Sequence, residues 1–83
     1  MTNPYATLSF ATGEDYWTIT DTGEWAADCT AGRAAAAELM RVMHFQDAPM
    51  LLGHVIKAMM ARGRWSGVEV GFAHAIAERA GEN

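Results

Sequence analysis

Four side chains in this sequence have the chemistry to bind a metal ion or to act as a nucleophile: Cys29, His44, His54 and His74. Their spacing fits no zinc finger and neither the HExxH nor the CxxC pattern, and predicted helices would scatter them. We therefore expect no metal site. Cys29 with His44 as its base and Asp28 as the orienting group is a geometrically possible nucleophile, but nothing else in the chain supports it.

The sequence also lacks the common signatures of enzymes and cofactor-binding proteins. It contains no GxGxxG fingerprint, no phosphate-binding P-loop and no GxSxG motif. No pair of carboxylates for general acid–base catalysis stands out from the acidic residues of predicted turns. We expect a protein that is not an enzyme, with no catalytic residues and no cofactor.

Charge is distributed unevenly along the 83 residues, whose formal net charge is −4. Residues 1–31 carry five acidic side chains and no Lys or Arg, whereas residues 32–65 carry a net charge of +3 and residues 66–83 a net charge of −2. An acidic N-terminal part disfavours nucleic acid as a direct partner and suits docking on a basic protein surface.

The first third of the chain alternates between apolar and polar residues in the manner of β-strands. Three strands are predicted within residues 6–29, at Thr7–Thr12, Tyr16–Asp21 and Glu24–Cys29. Turn residues around Gly13 and Gly23 separate them. The pattern predicts a three-stranded antiparallel meander that needs a helical layer to cover one face.

Helical patterns follow at about residues 31–44, 49–62 and 66–80. Pro49 suits the first turn of the second helix, and Gly63 suits a left-handed position at its end. Ser66 and Glu69 have the spacing of an S-x-x-E capping box at the start of the third helix.

These elements predict a single α+β domain over residues 1–83, with the three helices packed on one face of the sheet. Gly71 is expected to allow close approach of a neighbouring backbone. Trp65 either pins the turn between the last two helices into the core or is an exposed anchor, and we favour the core. The expected core consists of Trp17, Ile19, Leu39, Val55, Ile56, Phe72 and Ile76.

Cellular location is indicated by two further features. The sequence contains no secretion signal and no apolar run near the ~20 residues that cross a bilayer. A single cysteine excludes an internal disulfide and suits a reducing compartment. We expect a cytoplasmic protein in a bacterial cell, with no membrane contact.

Two segments, TITDTGEWAADCTAGRAAAAELM and LLGHVIKAMMARGRWSGVEVGF, resemble small Ala-rich phage and prophage proteins of high-GC bacteria. Within that class, the size, the acidity and the lack of an enzymatic signature are similar to those of anti-CRISPR proteins. The resemblance implies binding to a CRISPR effector, often a type I surveillance complex, and a block of target-DNA binding or nuclease recruitment. It implies no residue roles, because these proteins share no motif.

The leading hypothesis is therefore a non-enzymatic inhibitor whose acidic surface docks on a basic groove of a CRISPR effector. One alternative is a regulatory DNA-binding domain that uses the helix pair of residues 51–80, with Arg62 and Arg64 beside its turn. Another is a homodimeric accessory protein with Met-rich helices at its interface. The predicted partner-binding residues are Glu14, Asp15, Tyr16, Asp21, Glu24, Trp25 and Asp28.

Overall fold

The computed structural model describes residues 8–11 and 15–81, and its secondary structure is helical. Helix α1 spans Trp25–Gln46, α2 spans Met50–Arg62 and α3 spans Gly67–Ala80. These helices hold 69% of the described residues, and no strand occurs among them. The prediction of an α+β fold with a three-stranded meander is therefore wrong, and the fold class is all-helical.

The segment predicted as the first two strands is instead irregular chain wherever the structure describes it. Both the backbone N–H and the hydroxyl of Thr18 donate to the carbonyl of Phe10, at 2.9 and 2.8 Å. Hydrogen bonds to a single carbonyl do not form the repeating ladder of a β-sheet. The alternation at Leu8 and Phe10 records burial of both side chains rather than strand pairing. Residues 6, 7 and 12–14 of the predicted strands lie outside the described residues.

The segment predicted as the third strand, Glu24–Cys29, instead leads into and forms the first turn of α1. The helix begins at Trp25, whereas its predicted start was residue 31. Its first turns are closed by the i to i−4 hydrogen bond from the Asp28 N–H to the Glu24 carbonyl, at 2.9 Å. Alanine is the strongest helix former, and the Ala-rich sequence continues without a break from these turns into the rest of α1.

Helix α1 ends in a Schellman motif. Asp47 adopts a left-handed φ of 51°, and the Ala48 N–H donates to the Met43 carbonyl at 2.9 Å while the Asp47 N–H donates to the His44 carbonyl at 3.4 Å. Ala48 is buried, as the apolar contact of this motif requires. The motif turns the chain directly into α2.

Helices α2 and α3 begin and end within one residue of the predicted ranges. Gly63 terminates α2 with a φ of 69°, and its N–H donates to the Met60 carbonyl. The predicted capping box is confirmed: the Glu69 carboxylate accepts from the Ser66 backbone N–H at 2.7 Å, and the Ser66 side chain accepts from the Val68 N–H.

Contacts divide the chain into two compact units, Met1–Ile19 with Glu38–Arg64, and Thr20–Ala37 with Trp65–Asn83. In the first unit, Phe10 and Trp17 meet edge to face with ring centroids 5.3 Å apart. Leu51, Val55 and Met59 recur every four residues and bury one face of α2. Trp17 is fully buried. The single-domain prediction stays a prediction.

In the second unit, α1 and α3 meet at glycines. A Cβ atom on Gly32 would lie 2.7 Å from the Phe72 nitrogen and closer still to the Val68 carbonyl oxygen. A Cβ atom on Gly71 would lie 2.8 Å from the Cys29 carbonyl carbon. The two backbones are therefore in direct contact, and the predicted close approach at Gly71 is confirmed.

The predicted core is correct for four of its seven members. Trp17, Leu39, Val55 and Phe72 are all fully buried. The remaining three, Ile19, Ile56 and Ile76, are partly exposed. Ile19 was expected on the covered face of a sheet, and without a sheet that face does not form.

Candidate protein-binding surface

The carboxylate of Asp28 organises the chain that leads into α1. It accepts the Thr22 N–H at 3.0 Å, the Thr22 hydroxyl at 2.8 Å and the Gly23 N–H at 3.2 Å. The Thr22 backbone hydrogen bond is the largest influence on this group, and together with the Thr22 hydroxyl and the Gly23 N–H it lowers the pKa of Asp28 below its ordinary value of 3.8, against the opposing effect of burial. Only 4% of Asp28 is accessible. Asp28 therefore shapes the helix start and has no surface to offer a partner.

Glu24 lies at the position just before α1. One carboxylate oxygen accepts the Ala26 N–H at 3.2 Å, which satisfies a backbone donor that the helix leaves unpaired. The side chain remains exposed, and Asp21, three residues earlier, is half-buried. Glu24 can therefore cap the helix and still contact a partner with its second oxygen.

Trp25, the first residue of α1, exposes 60% of its surface. One edge of its indole is nevertheless covered, because a Cβ atom on Gly67 would lie 3.2 Å from the Trp25 Cε3 atom. The ring is thus held by the start of α3 while most of it faces solvent. We call Asp21, Glu24 and Trp25 the α1 entry surface.

Trp65 is a further exposed indole in the second unit. It exposes 57% of its surface and precedes Gly67, which contacts Trp25, by two residues. The preference for a core position of Trp65 was therefore wrong. Trp65 lies in a turn, where the sequence has no periodic pattern that indicates burial. Val68 and Phe72 are buried on α3 and form its apolar face without Trp65.

Two predicted partner-binding residues, Asp15 and Tyr16, belong to the first unit and not to the α1 entry surface. Asp15 accepts the Trp17 N–H at 3.1 Å and forms an ion pair with Arg62 at 3.6 Å. Tyr16 stacks on His54, with ring centroids 4.9 Å apart and planes inclined by 14°. Glu14 lies outside the described residues.

The arrangement of α3 disfavours its use as a DNA-recognition helix. A recognition helix presents its N-terminal residues to the DNA major groove, but Val68, Gly71 and Phe72 near the start of α3 are buried. The Glu69 carboxylate is bound to Ser66. In the first unit, Arg62 donates to the Trp17 carbonyl at 2.6 Å and so has a structural partner of its own.

Candidate metal ligands are not grouped in the part of the chain that the structure describes. Over residues 8–11 and 15–81, no three His, Cys, Asp or Glu side chains are placed to hold a metal ion together. Cys29 is half-buried, and its backbone lies against Gly71. His44, in the last turn of α1, and His74 are exposed.

None of the described helices has both the length and the apolar character to cross a bilayer. Comparison with known proteins gives no relative: no protein-family model, no curated protein and no solved structure matches this chain.

Proposed function

We propose that this protein is a non-enzymatic inhibitor that binds another protein through the α1 entry surface. The observation that carries the proposal is the state of Trp25, whose indole is held at one edge by Gly67 yet remains 60% exposed. Tryptophan is among the residues that dominate binding energy at protein interfaces. A side chain that is already ordered loses less conformational entropy on binding.

The charges beside the indole define the partner. Asp21 and Glu24 precede Trp25 by four residues and by one residue, and residues 1–31 contain no Lys or Arg. A complementary partner has an apolar pocket rimmed by Lys or Arg, as grooves that bind nucleic-acid phosphates do. Carboxylates that occupy such a groove exclude the nucleic acid.

The resemblance to anti-CRISPR proteins supplies the specific form of the proposal. The partner is a CRISPR–Cas effector of the type I surveillance class, and docking blocks its binding of target DNA. The protein would act in the cytoplasm of the bacterial host cell, without binding nucleic acid directly. The proposed surface keeps three of the seven predicted residues: Asp28 is buried, Asp15 and Tyr16 belong to the first unit, and Glu14 lies outside the described residues.

A competition experiment tests both parts of the proposal. Purified type I surveillance complex is mixed with labelled target DNA and increasing amounts of the protein, and the fraction of bound DNA is measured. We expect displacement of DNA that weakens about 30-fold in Trp25→Ala, the loss typical of an interface hot spot. Glu24→Lys should also weaken the displacement of DNA, and by more at low salt than at high salt, because salt screens exposed charges.

Phe45→Ala is the matched control, because it removes another exposed aromatic side chain, 87% accessible, from the first unit. It should inhibit as well as wild type. DNA binding that is unchanged at saturating protein would exclude this class of target. Inhibition that survives Trp25→Ala but is lost in Phe45→Ala would move the binding surface to the first unit.

A homodimeric accessory protein is the second candidate, and exposed apolar side chains of the first unit favour it. Phe45, Met50 and Met60 expose 87%, 60% and 70% of their surfaces. Phe45 also lines a cavity of about 360 Å³ with Arg41 and Val42. Sedimentation equilibrium distinguishes this candidate: a dimer that dissociates in Phe45→Ala supports it, and a monomer at high micromolar concentration rejects it.

A further inference from the structure

A second surface feature lies on α2, in the first unit. His54, Lys57, Ala58 and Ala61 recur at i, i+3, i+4 and i+7, which is the spacing of one helix face. Together with Tyr16, which stacks on His54, they line a cavity of about 220 Å³. The two alanines lack long side chains, and this leaves the space between the aromatic pair and the lysine.

The aromatic wall of this cavity is held from the far end of α2. Arg62 donates to the Trp17 carbonyl at 2.6 Å and pairs with Asp15 at 3.6 Å, and Asp15 accepts the Trp17 N–H. The residues on both sides of Tyr16 are therefore tied to α2. The stack of Tyr16 on His54 adds a third point of attachment, so the cavity exists before any ligand arrives.

Size and charge select the kind of ligand. A volume of about 220 Å³ is below the 300–1,000 Å³ of pockets for drug-sized molecules, so it suits one functional group or a short side chain. Lys57 forms no ion pair with another described residue, whereas the carboxylate of Asp15 is paired with Arg62. The ammonium of Lys57 and the imidazole of His54 are hydrogen-bond donors that suit a negatively charged oxygen.

We propose that the cavity formed by Tyr16, His54 and Lys57 binds an oxyanion, the phosphate or carboxylate group of a small molecule. Lys57 supplies the charge and His54 a directional donor, while Tyr16 closes one side of the group. This binding is separate from the α1 entry surface and does not depend on the function proposed for it.

An NMR titration tests this proposal on the whole protein. Inorganic phosphate, O-phosphoserine and acetate are added separately at constant ionic strength and pH, and the ring signals of Tyr16 and His54 and the amide signals of α2 are followed. We expect saturable shifts confined to these residues with a Kd of about 1–10 mM, at the weak end of the affinity scale. Saturation by acetate as well as phosphate assigns the site to oxyanions in general; saturation by phosphates alone assigns it to phosphate groups.

Two variants separate binding from general charge effects. Lys57→Met keeps the apolar stem and removes the ammonium, so the affinity measured from the saturable shifts should fall at least tenfold. Arg33→Met removes a cation from the second unit and should leave them unchanged. Shifts that never saturate with any of the three anions, or that are equal in wild type and Lys57→Met, would overturn the proposal.

Discussion

The carboxylate of Asp28 is bound by Thr22 through two donors, the backbone N–H and the hydroxyl, although the residues are six positions apart. A helix N-terminus usually receives its acceptor from the residue before the helix. Glu24 supplies that acceptor for α1, and Asp28, inside the helix, additionally reaches back to order the approaching chain. The acidic residues near the start of α1 are therefore in part a requirement of folding.

Stability should depend on pH through Asp28. Its pKa is lowered in the folded protein by the hydrogen bonds from Thr22 and Gly23, so the ionised form stabilises the fold at every pH above the unfolded value of about 3.8. That stabilisation is lost as pH falls through the lower, folded pKa. Asp28→Asn should therefore reduce the urea midpoint near neutral pH, and the difference from wild type should shrink below about pH 4.

Glu24→Gln is the control for that measurement, because it keeps the acceptor oxygen for Ala26 and removes an exposed charge near the same helix end. It should change the urea midpoint much less than Asp28→Asn does. An Asp28→Asn difference that stays constant from pH 7 to pH 3 would contradict the prediction.

The crossing of α1 and α3 should not tolerate a side chain at Gly71. Alanine there would overlap the Cys29 backbone, and overpacking of this kind typically costs about 1–3 kcal/mol. We expect Gly71→Ala to lower the free energy of unfolding by about 3 kcal/mol in urea denaturation. Gly53→Ala is the matched control, since nothing lies within 4 Å of its added Cβ; it should stabilise the exposed helix by about 0.5–1 kcal/mol. Equal effects of the two substitutions would be inconsistent with backbone contact.

The capping box at α3 should contribute measurably to stability. Ser66→Ala removes the acceptor for the Val68 N–H and the hydroxyl that donates to Glu69. We expect a loss of about 1 kcal/mol, the usual effect of removing an N-cap side chain. Ser66→Asn retains an acceptor and should recover most of that loss in thermal unfolding. A Ser66→Asn variant no more stable than Ser66→Ala would show that capping is not the reason.

Arg62 should matter more to stability than Arg33, although both form an ion pair. Arg62 donates to the Trp17 carbonyl at 2.6 Å and is partly buried, so Arg62→Met should cost about 1–2 kcal/mol. Arg33 pairs with Glu78 in a contact where both side chains are largely exposed, and such pairs contribute about 0–1 kcal/mol. Chemical denaturation of both variants makes the comparison, which fails if Arg33→Met is the less stable protein.

Helix ends that depend on neighbouring residues were predictable from the sequence, whereas features that depend on distant contacts were not. Gly63 and the Ser66–Glu69 box act on their own helix ends, so local sequence was enough to locate α2 and α3. Leu8 and Phe10 alternate because both are buried in an irregular segment, and burial of every second residue is not unique to strands. The start of α1 was missed because Asp28, which orders the approaching chain through Thr22, lies inside the helix and follows Thr22 by six residues.

The candidate site was predictable only in part for a related reason. Composition did not decide whether Trp25 is core or surface; the structure exposes it, and its binding role stays a prediction. The contacts that remove Asp15 and Tyr16 from that surface depend on Arg62 and His54, which are distant in sequence. Long-range pairing of this kind leaves no periodic trace.

Each of the two units is assembled from two segments that are separated in the chain. Helix α1 contributes residues to both units. During synthesis, the N-terminal half of α1 emerges well before α3, whose backbone it contacts at Gly32 and Gly71. Residues 38–64 lie between the two segments that cross, so this part of the chain must form a closed loop before the crossing forms. The long sequence separation raises the contact order. The second unit therefore cannot mature on the ribosome until α3 has left the exit tunnel, and truncation before α3 leaves the Ala-rich half of α1 without its packing partner.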